Sequence, residues 1–203
     1  RLDRKTGDLA CFRSGNLHHI DVVREQARVW AAPWTSREMY ALNLEDLSVS
    51  FTVRTPPRGK MRFFQPIQVV EDVSGEHLFA GTELEATLVR FSIPDRSYET
   101  KLRLADHDLV RWGGPLHFIE QSSTTRLLYF TSGPGHNLFE VDPDTMRVLR
   151  SMPLDDVVGT ALLLDEETET LYYQSGVRDD LYAIDLETWS VTRTYEGELH
   201  ARR

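Results

Sequence analysis

Four histidines lie at places where folding could bring them to one end of the structure. His18 and His19 begin an apolar run, His117 holds the matching place two repeats later, and His136 lies in the Gly- and Pro-rich segment 133–137. Imidazole nitrogens are common ligands of transition metals. His19, His117 and His136 are therefore candidate ligands of one metal ion, and His18 is a candidate contact for another ligand.

The same repeats also support a simpler interpretation of these histidines. Pro66 and Thr160 hold the matching place in two other repeats, so no ring of imidazoles recurs along the chain. Under this interpretation the histidines face solvent or form local hydrogen bonds at the starts of strands. The sequence leaves the metal site as the less favoured alternative.

A second candidate site is the longest polar and aromatic loop, which contains Asp106, His107 and Asp108, then Arg111 and Trp112. Asp–His pairs can perform general acid–base catalysis, and carboxylates with histidine can hold a divalent ion. Adjacent residues in an extended loop diverge, however, so the three cannot reach one proton together. A solvated loop with Arg111 and Trp112 as ligand contacts is the favoured interpretation.

Two more arginines are candidate contacts. Arg58 lies in a basic segment that ends in Phe63 and Phe64, where an acidic partner could bind or the aromatic rings could anchor the loop to the core. Arg178 lies in the polar segment 176–180. The acidic runs 165–167 and 179–180 lack the alternating ligand spacing of a calcium loop and are interpreted as solvated turns.

The elements that position these residues follow from a repeat. One hairpin pattern occurs five times, with a short polar residue at the start of the turn and a second one three places later. The equivalent apolar positions, 40, 49, 50 and 43 residues apart, are Leu2, Leu42, Phe91, Val141 and Ile184. Asp, Asn and Ser side chains at the start of a turn accept backbone N–H groups, so each copy predicts a tight hairpin. A second pair of apolar runs precedes each of the last four copies.

Each complete unit therefore has four short strands, and no helical period is present. This pattern is typical of a β-propeller. The predicted fold is an all-β propeller of four-stranded antiparallel blades, with a half-blade at 1–12 and blades at 18–55, 65–104, 116–153 and 160–196. The continuously apolar run 161–164 predicts a strand buried on both faces, and the last strand of each unit predicts a half-solvated edge.

The units L-Y-Y-Q-S-G with L-Y-A-I-D-L-E-T-W-S-V (171–191), and L-Y-F-T-S-G with L-F-E-V-D-P-D-T-M-R-V (128–148), resemble YVTN-type propeller repeats. These repeats belong to the quinoprotein- and lactonase-like seven-bladed propellers. Residues 1–12 supply only half a blade, so we expect one propeller domain over 1–203 that is a fragment of a larger propeller, with a five-bladed ring as the alternative. The resemblance implies seven blades for the larger propeller. It also implies a periplasmic or secreted protein of bacterial type, with a cytoplasmic location as the alternative.

The expected function is a non-catalytic scaffold that binds a protein or a small ligand through its loop face. The alternative, implied by the resemblance, is a metal-assisted hydrolase or quinoprotein-like enzyme whose site includes further blades. The sequence contains no recognisable cofactor cradle, so the cofactor is unknown, and no catalytic residue is assigned. Fold alone does not decide between these functions.

Composition narrows the classes of partner. The chain has 203 residues, 40% of them hydrophobic, and a net charge of −9. This acidity argues against nucleic acid as the main partner. No apolar run reaches the length of a transmembrane helix. Cys11 is the single cysteine, so no disulfide can form within the chain.

Overall fold

The architecture was analysed in a computed structural model. It describes residues 17–24, 26–33, 38–54, 66–82, 86–107, 116–132, 137–154, 159–176, 178 and 180–197. The predicted half-blade at 1–12 and Cys11 lie outside the described residues. Within the described part, no helix is long and apolar enough to cross a membrane.

Four antiparallel sheets of four strands each follow one another along the chain. Blade 1 contains β1 (Leu17–Val23), β2 (Arg28–Pro33), β3 (Glu38–Asn43) and β4 (Val49–Arg54). Blade 2 contains β5 (Pro66–Glu71), β6 (His77–Thr82), β7 (Thr87–Ser92) and β8 (Ser97–Arg103), and a short 3-10 helix follows at Leu104–His107.

Blade 3 contains β9 (Leu116–Gln121), β10 (Leu128–Ser132), β11 (Asn137–Asp142) and β12 (Arg147–Pro153). Blade 4 contains β13 (Gly159–Asp165), β14 (Thr170–Ser175), β15 (Leu181–Asp185) and β16 (Ser190–Tyr195). In every blade the strands pair in chain order. The predicted propeller of four-stranded blades is confirmed.

The first strand of each blade is the innermost. β1 lies beside β5, β5 beside β9, and β9 beside β13, so these four strands form the inner wall. The last strands are the outer edges. β12 alternates between exposed and half-buried side chains as the sequence predicts, but every side chain of β16 is exposed, so the prediction of a half-solvated edge is wrong for that strand. Each inner strand has a β-bulge or similar irregularity along its pairing with the next strand. Such bulges redirect side chains locally.

The apolar core lies in the interfaces between neighbouring blades, which we call seams. One cluster joins blades 1 and 2 around Trp30 and Phe91, one joins blades 2 and 3 around Phe79 and Phe130, and one joins blades 3 and 4 around Tyr173. Because side chains alternate across a strand, a blade with two neighbours buries both of its faces.

Gly81 shows how closely blades 2 and 3 approach each other. A Cβ atom at this position would lie 2.9 Å from both the Cβ and the carbonyl oxygen of Leu116. Since backbone and Cβ atoms cannot move aside cheaply, only glycine fits here without shifting β9 away from β6.

The prediction that 161–164 is buried on both faces is wrong. Leu162 is 6% exposed, but Leu163, the next residue, is 61% exposed. Leu162 packs into the seam with blade 3, whereas Leu163 points to the opposite face of blade 4. The run is apolar throughout, but no described residues cover that second face.

The predicted turn chemistry is confirmed. The N–H of Asp144 donates to Asp142 Oδ1 at 2.9 Å, and the N–H of Thr188 donates to Asp185 Oδ1 at 2.6 Å. The hydroxyls of Thr145 and Thr188 each donate to the same aspartates at 2.7 Å. The polar residue three places later therefore ties the turn as predicted.

Two turns in each blade lie at the same end of the sheet, which we call the turn face. In three blades a backbone hydrogen bond joins them: Leu44 N–H to Ala27 O at 2.8 Å, Ile93 to Glu76 at 2.9 Å, and Leu186 to Glu169 at 3.0 Å. Blade 3 has Pro143 at this place, which has no N–H. There an ion pair of 3.5 Å between Arg126 and Asp144 joins the turns instead.

Candidate functional site

The opposite ends of the blades, which we call the loop face, carry the candidate residues predicted from the sequence. His18 and His19 lie in β1, where the register shifts between Leu17 and His19, but only their backbone is described. His117 is half-buried in β9, and its ring stacks on Phe118 with centroids 5.5 Å apart. Arg178 is exposed, and its backbone N–H donates to Ser175 Oγ at 2.9 Å.

Four other predicted residues, Arg58, Arg111, Trp112 and His136, lie outside the described residues. Of the three proposed metal ligands, only His117 has a described side chain. No group of three His, Cys, Asp or Glu side chains in the described ranges is arranged to hold a metal ion. The site formed by His19, His117 and His136 therefore stays a prediction.

The Asp106 loop has a simpler structure than an acid–base site. Asp106 is exposed within the 3-10 helix, and its carboxylate accepts from the guanidinium of Arg103 at 3.1 Å. An exposed ion pair between residues three apart contributes little to stability. The described part of this loop agrees with the predicted solvated loop.

Burial raises the pKa of three carboxylic acids in the inner strands, Asp21, Glu71 and Glu120. Asp21 pairs across the sheet with Trp30, and Glu120 pairs with Tyr129, so each acid is on the face that meets the next blade. Burial raises the pKa of Asp21, although a hydrogen bond from the Glu71 N–H partly offsets it. Burial and the charge of Asp21 raise the pKa of Glu120 to about 7. Glu120 can therefore hold or release a proton near neutral pH.

The seam between blades 1 and 2 contains a buried ionic cluster. The carboxylate of Glu71, fully buried, accepts the indole N–H of Trp30 and a guanidinium N–H of Arg28, the latter at 2.7 Å. The Arg28 guanidinium lies 5.1 Å from the ring centroid of Phe51. Burial raises the pKa of Glu71 in spite of these two donors. No buried polar side-chain atom of this cluster lacks a hydrogen-bond partner, so this seam carries no unsatisfied polar side chain that would destabilise it.

The adjacent residue Asp72 bonds in the opposite direction, to blade 3. The Asp72 carboxylate accepts a hydrogen bond from Gln121 Nε2 at 2.9 Å and another from the Arg126 guanidinium at 3.2 Å. The side-chain oxygen of Gln121, Oε1, accepts from the Val73 N–H at 2.9 Å. Hydrogen bonds from Ser74 and Gln121, with the charges of Arg126 and His77, lower the pKa of Asp72 although burial opposes them. One pair of acidic residues therefore links blade 2 to both neighbours.

The seam between blades 3 and 4 also combines Glu, Arg and Trp. Glu140 accepts two hydrogen bonds from the Arg150 guanidinium, at 2.9 and 2.5 Å, and this guanidinium lies 4.6 Å from the Trp189 ring centroid. Burial and the charge of Glu140 raise the pKa of Tyr129 to about 12. The indole N–H of Trp189 is buried without an acceptor among the described residues.

Sequence reasoning missed the polar groups that matter most here. In the sequence, Glu71 and Asp72 look like the start of a polar turn, but the structure buries both of them. Asp180 was interpreted as part of a solvated turn, yet it is buried and accepts from the Gly197 N–H at 3.1 Å. The only sequence signal for a buried acid was its position at the end of an apolar run. Acidic residues of solvent-exposed turns occupy the same position, so the signal does not distinguish the two.

Comparison with known proteins supports the fold and no finer identity. No family model matches the sequence, and no curated protein matches it. Among solved structures, hydrazine synthase of Kuenenia stuttgartiensis is 12% identical with a TM-score of 0.73, over 90% of this chain and 49% of that one. The RRP9 WD40 repeats and U3-55K are each 11% identical with TM-scores of 0.72, over 93% of this chain and 53% and 54% of theirs.

The chain therefore spans about half the length of the structures that it matches. At such low identity the likeness shows architecture alone. Together with the four stacked antiparallel sheets, it establishes that these residues form blades of a WD40-like β-propeller.

Proposed function

We propose that the protein is a non-catalytic β-propeller scaffold that binds a protein or a small ligand through its loop face. One observation carries the proposal. Buried or partly buried polar contacts of the turn face, such as Glu71 with Trp30 and Asp72 with Gln121, tie each blade to its neighbour. The opposite ends of the blades carry longer and more varied connections. Variable loops on a rigid scaffold are typical of binding surfaces.

In this proposal the contacts come from the basic and aromatic residues of the loop face. His117 and Arg178 have side chains accessible to a partner, and His18 and His19 lie at the corresponding end of β1. Arg58, Arg111, Trp112 and His136 belong to the connections that leave the same ends of the blades. Arginine and tryptophan are enriched at the centres of protein interfaces.

The proposal includes a single propeller domain over residues 1–203 and a relationship to YVTN-type repeats. The Ser-Gly pairs of the sequence at 132–133 and 175–176 support that relationship, because each serine ends a strand that contains a buried aromatic residue. We also propose that further blades complete the ring. The exposed Leu163 on the second face of blade 4 and the half-length match to other propellers support this.

Affinity purification with matched variants tests the proposal. The double variant Arg111→Ala and Arg178→Ala alters the loop face, and the double variant Arg24→Ala and Arg147→Ala removes the same charge from the turn face. A specific partner should co-purify with the wild type and the turn-face variant and be lost from the loop-face variant. Equal recovery by both variants would refute binding through the loop face.

Metal analysis separates the scaffold from the predicted imidazole site. If His19, His117 and His136 hold an ion, the purified protein contains stoichiometric metal, and a chelator lowers its melting temperature. That outcome would favour a metal-dependent function over the scaffold. Metal-free protein with an unchanged melting temperature would remove the predicted site and leave the scaffold as the remaining proposal.

A further inference from the structure

A cavity of about 230 Å³ opens on the turn face between blades 3 and 4. The apolar part of its wall comes from Leu127 and Tyr129 of blade 3 and from Leu164 and Leu186 of blade 4. Pockets for drug-sized ligands have volumes of roughly 300–1,000 Å³. This cavity is smaller, and its size suits one long side chain better than a cofactor.

The charges around the cavity are mainly negative. Arg150 lines it, but Glu140 neutralises that guanidinium through two hydrogen bonds. Glu166 also lines it and accepts hydrogen bonds from Ser123. Two exposed carboxylates remain on the blade 4 side, Glu169 and Glu187, and neither has a Lys or Arg within 4.0 Å among the described residues.

A backbone hydrogen bond brings together the two turns that carry these residues. Glu169 ends the β13–β14 turn and Glu187 lies in the β15–β16 turn. The hydrogen bond of 3.0 Å from the Leu186 N–H to the Glu169 carbonyl joins the two turns. The Asp185 carboxylate accepts from Thr188 and fixes the second turn. The backbone of both turns is therefore fixed before any ligand arrives, which reduces the entropic cost of binding.

We propose that this groove binds a basic side chain, arginine or lysine, presented by a peptide segment of a partner. The aliphatic stem would lie against Leu164 and Leu186, and the cationic head would meet Glu169 and Glu187. Long basic side chains combine an apolar stem with a charged end, so they match both parts of this wall. Charge-assisted hydrogen bonds to carboxylates supply the specificity. The groove is at the opposite end of the blades from the proposed loop-face site and does not depend on it.

The probe is a fluorescein-labelled peptide, Gly-Arg-Gly-Arg-Gly, titrated with the full chain and followed by fluorescence anisotropy. We expect saturable binding that weakens several-fold from about 50 mM to about 300 mM salt, because exposed charges are screened at these ionic strengths. The same peptide with citrulline in place of arginine has nearly the same shape without the charge, and it should not bind.

Matched variants separate this groove from the general acidity of the protein. The double variant Glu169→Gln and Glu187→Gln should weaken binding about tenfold, as expected for the loss of two partly exposed ionic contacts. The double variant Glu45→Gln and Glu76→Gln changes the equivalent positions of blades 1 and 2 by the same total charge, and it should bind like the wild type. Equal weakening by both double variants would overturn the proposal.

Methyl NMR spectra locate the contact directly. Titration with the arginine peptide should shift the Leu164 and Leu186 methyl signals and leave those of Leu78, in the seam between blades 1 and 2, unchanged. Binding without any shift at Leu164 and Leu186 would also overturn the proposal. If the protein has no partner at its loop face, the anisotropy and NMR results for this groove would not change. Failure of one proposal can therefore be distinguished from failure of the other.

Discussion

The seam between blades 1 and 2 and the seam between blades 3 and 4 use the same three residue types in different ways. In the first, Trp30 donates to Glu71, whose side chain is 0% exposed, and the partner Arg28 is 20% exposed. In the second, Arg150 is 36% exposed beside Glu140, and the Trp189 N–H has no described acceptor. The first seam buries its carboxylate completely, whereas a cavity lies beside Glu140 in the second.

This difference follows from where the tryptophan is placed. Trp30 belongs to β2, inside the sheet, so its ring fills the seam and its N–H reaches the buried carboxylate. Trp189 ends the β15–β16 turn, at the edge of the blade, so its ring covers Arg150 and does not reach Glu140. A satisfied buried ion cluster fixes two blades together, while a partly exposed one leaves room for a ligand.

The largest expected effect on stability comes from removing the carboxylates of Glu71 and Glu140, each in a separate variant. Glu71→Ala leaves the Trp30 N–H and the Arg28 charge without their buried partner, and it should lower the free energy of unfolding by about 3–5 kcal/mol. Glu140→Ala should cost about 1–2 kcal/mol, because water can reach Arg150. Urea unfolding followed by tryptophan fluorescence measures both, with the exposed Glu167→Ala as the control. Equal losses would contradict the contrast between the seams.

The tryptophans give the next effect. Trp30→Phe removes the indole N–H from a buried carboxylate and should cost about 2–3 kcal/mol. Trp189→Phe removes an N–H that has no acceptor among the described residues, so it should cost no more than about 1 kcal/mol, mostly from weaker cation–π contact with Arg150. Urea unfolding followed by circular dichroism gives the two values. A larger loss of unfolding free energy for Trp189→Phe would show that the indole N–H of Trp189 has a stabilising hydrogen-bond acceptor.

The acids of the inner strands extend the comparison to pH. The pKa of Glu120 is about 7 in the folded protein against an ordinary value of 4.5, so its neutral form is favoured by folding. This stabilisation is fully present below about pH 4.5 and is lost as the pH rises through about 7. The free-energy difference between the wild type and Glu120→Gln should therefore shift by roughly 3 kcal/mol, in favour of the variant, between pH 4.5 and 8.

Asp21→Asn is the matched variant in the first seam. Burial also raises the pKa of Asp21, but a hydrogen bond from the Glu71 N–H favours the ionised form. The free-energy difference between the wild type and Asp21→Asn should therefore change less with pH than the difference for Glu120→Gln. Thermal unfolding at a series of pH values measures both. Parallel curves for the wild type and Glu120→Gln would show that Glu120 has an ordinary titration.

The smallest expected effect concerns the turns beside the first seam. Ala27 has a φ of 47° and Gly75 a φ of 73°, in the left-handed region that disfavours side chains. Ala27→Gly should therefore stabilise the protein by up to about 1 kcal/mol, and Gly75→Ala should destabilise it by about 1–2 kcal/mol. A Cβ at Gly75 would also lie 3.3 Å from Gln26 Nε2. Melting temperatures that move in the same direction for both variants would refute this account.

Particular residues show how far the sequence could predict the candidate site. His117 lies near the start of β9 and Arg178 lies between β14 and β15, which are the positions in the blade that the repeat pattern gives them. Glu140 and Arg150 were not predicted as a pair. They lie ten residues apart on adjacent strands, and the register shift between Glu140 and Val141 decides which partner each one meets. A bulge of this kind leaves no clear signal in one sequence.

The sequence by itself determined the local structure of this protein. Polar residues at fixed places in each repeat specify tight turns such as Asp142 to Thr145, and the apolar runs between them specify short paired strands. Only the tertiary structure decided which polar groups are buried and which apolar ones are exposed, as Glu71 and Leu163 show. The physical reason is that burial depends on the neighbouring blade, and residues far apart in the chain supply that neighbour.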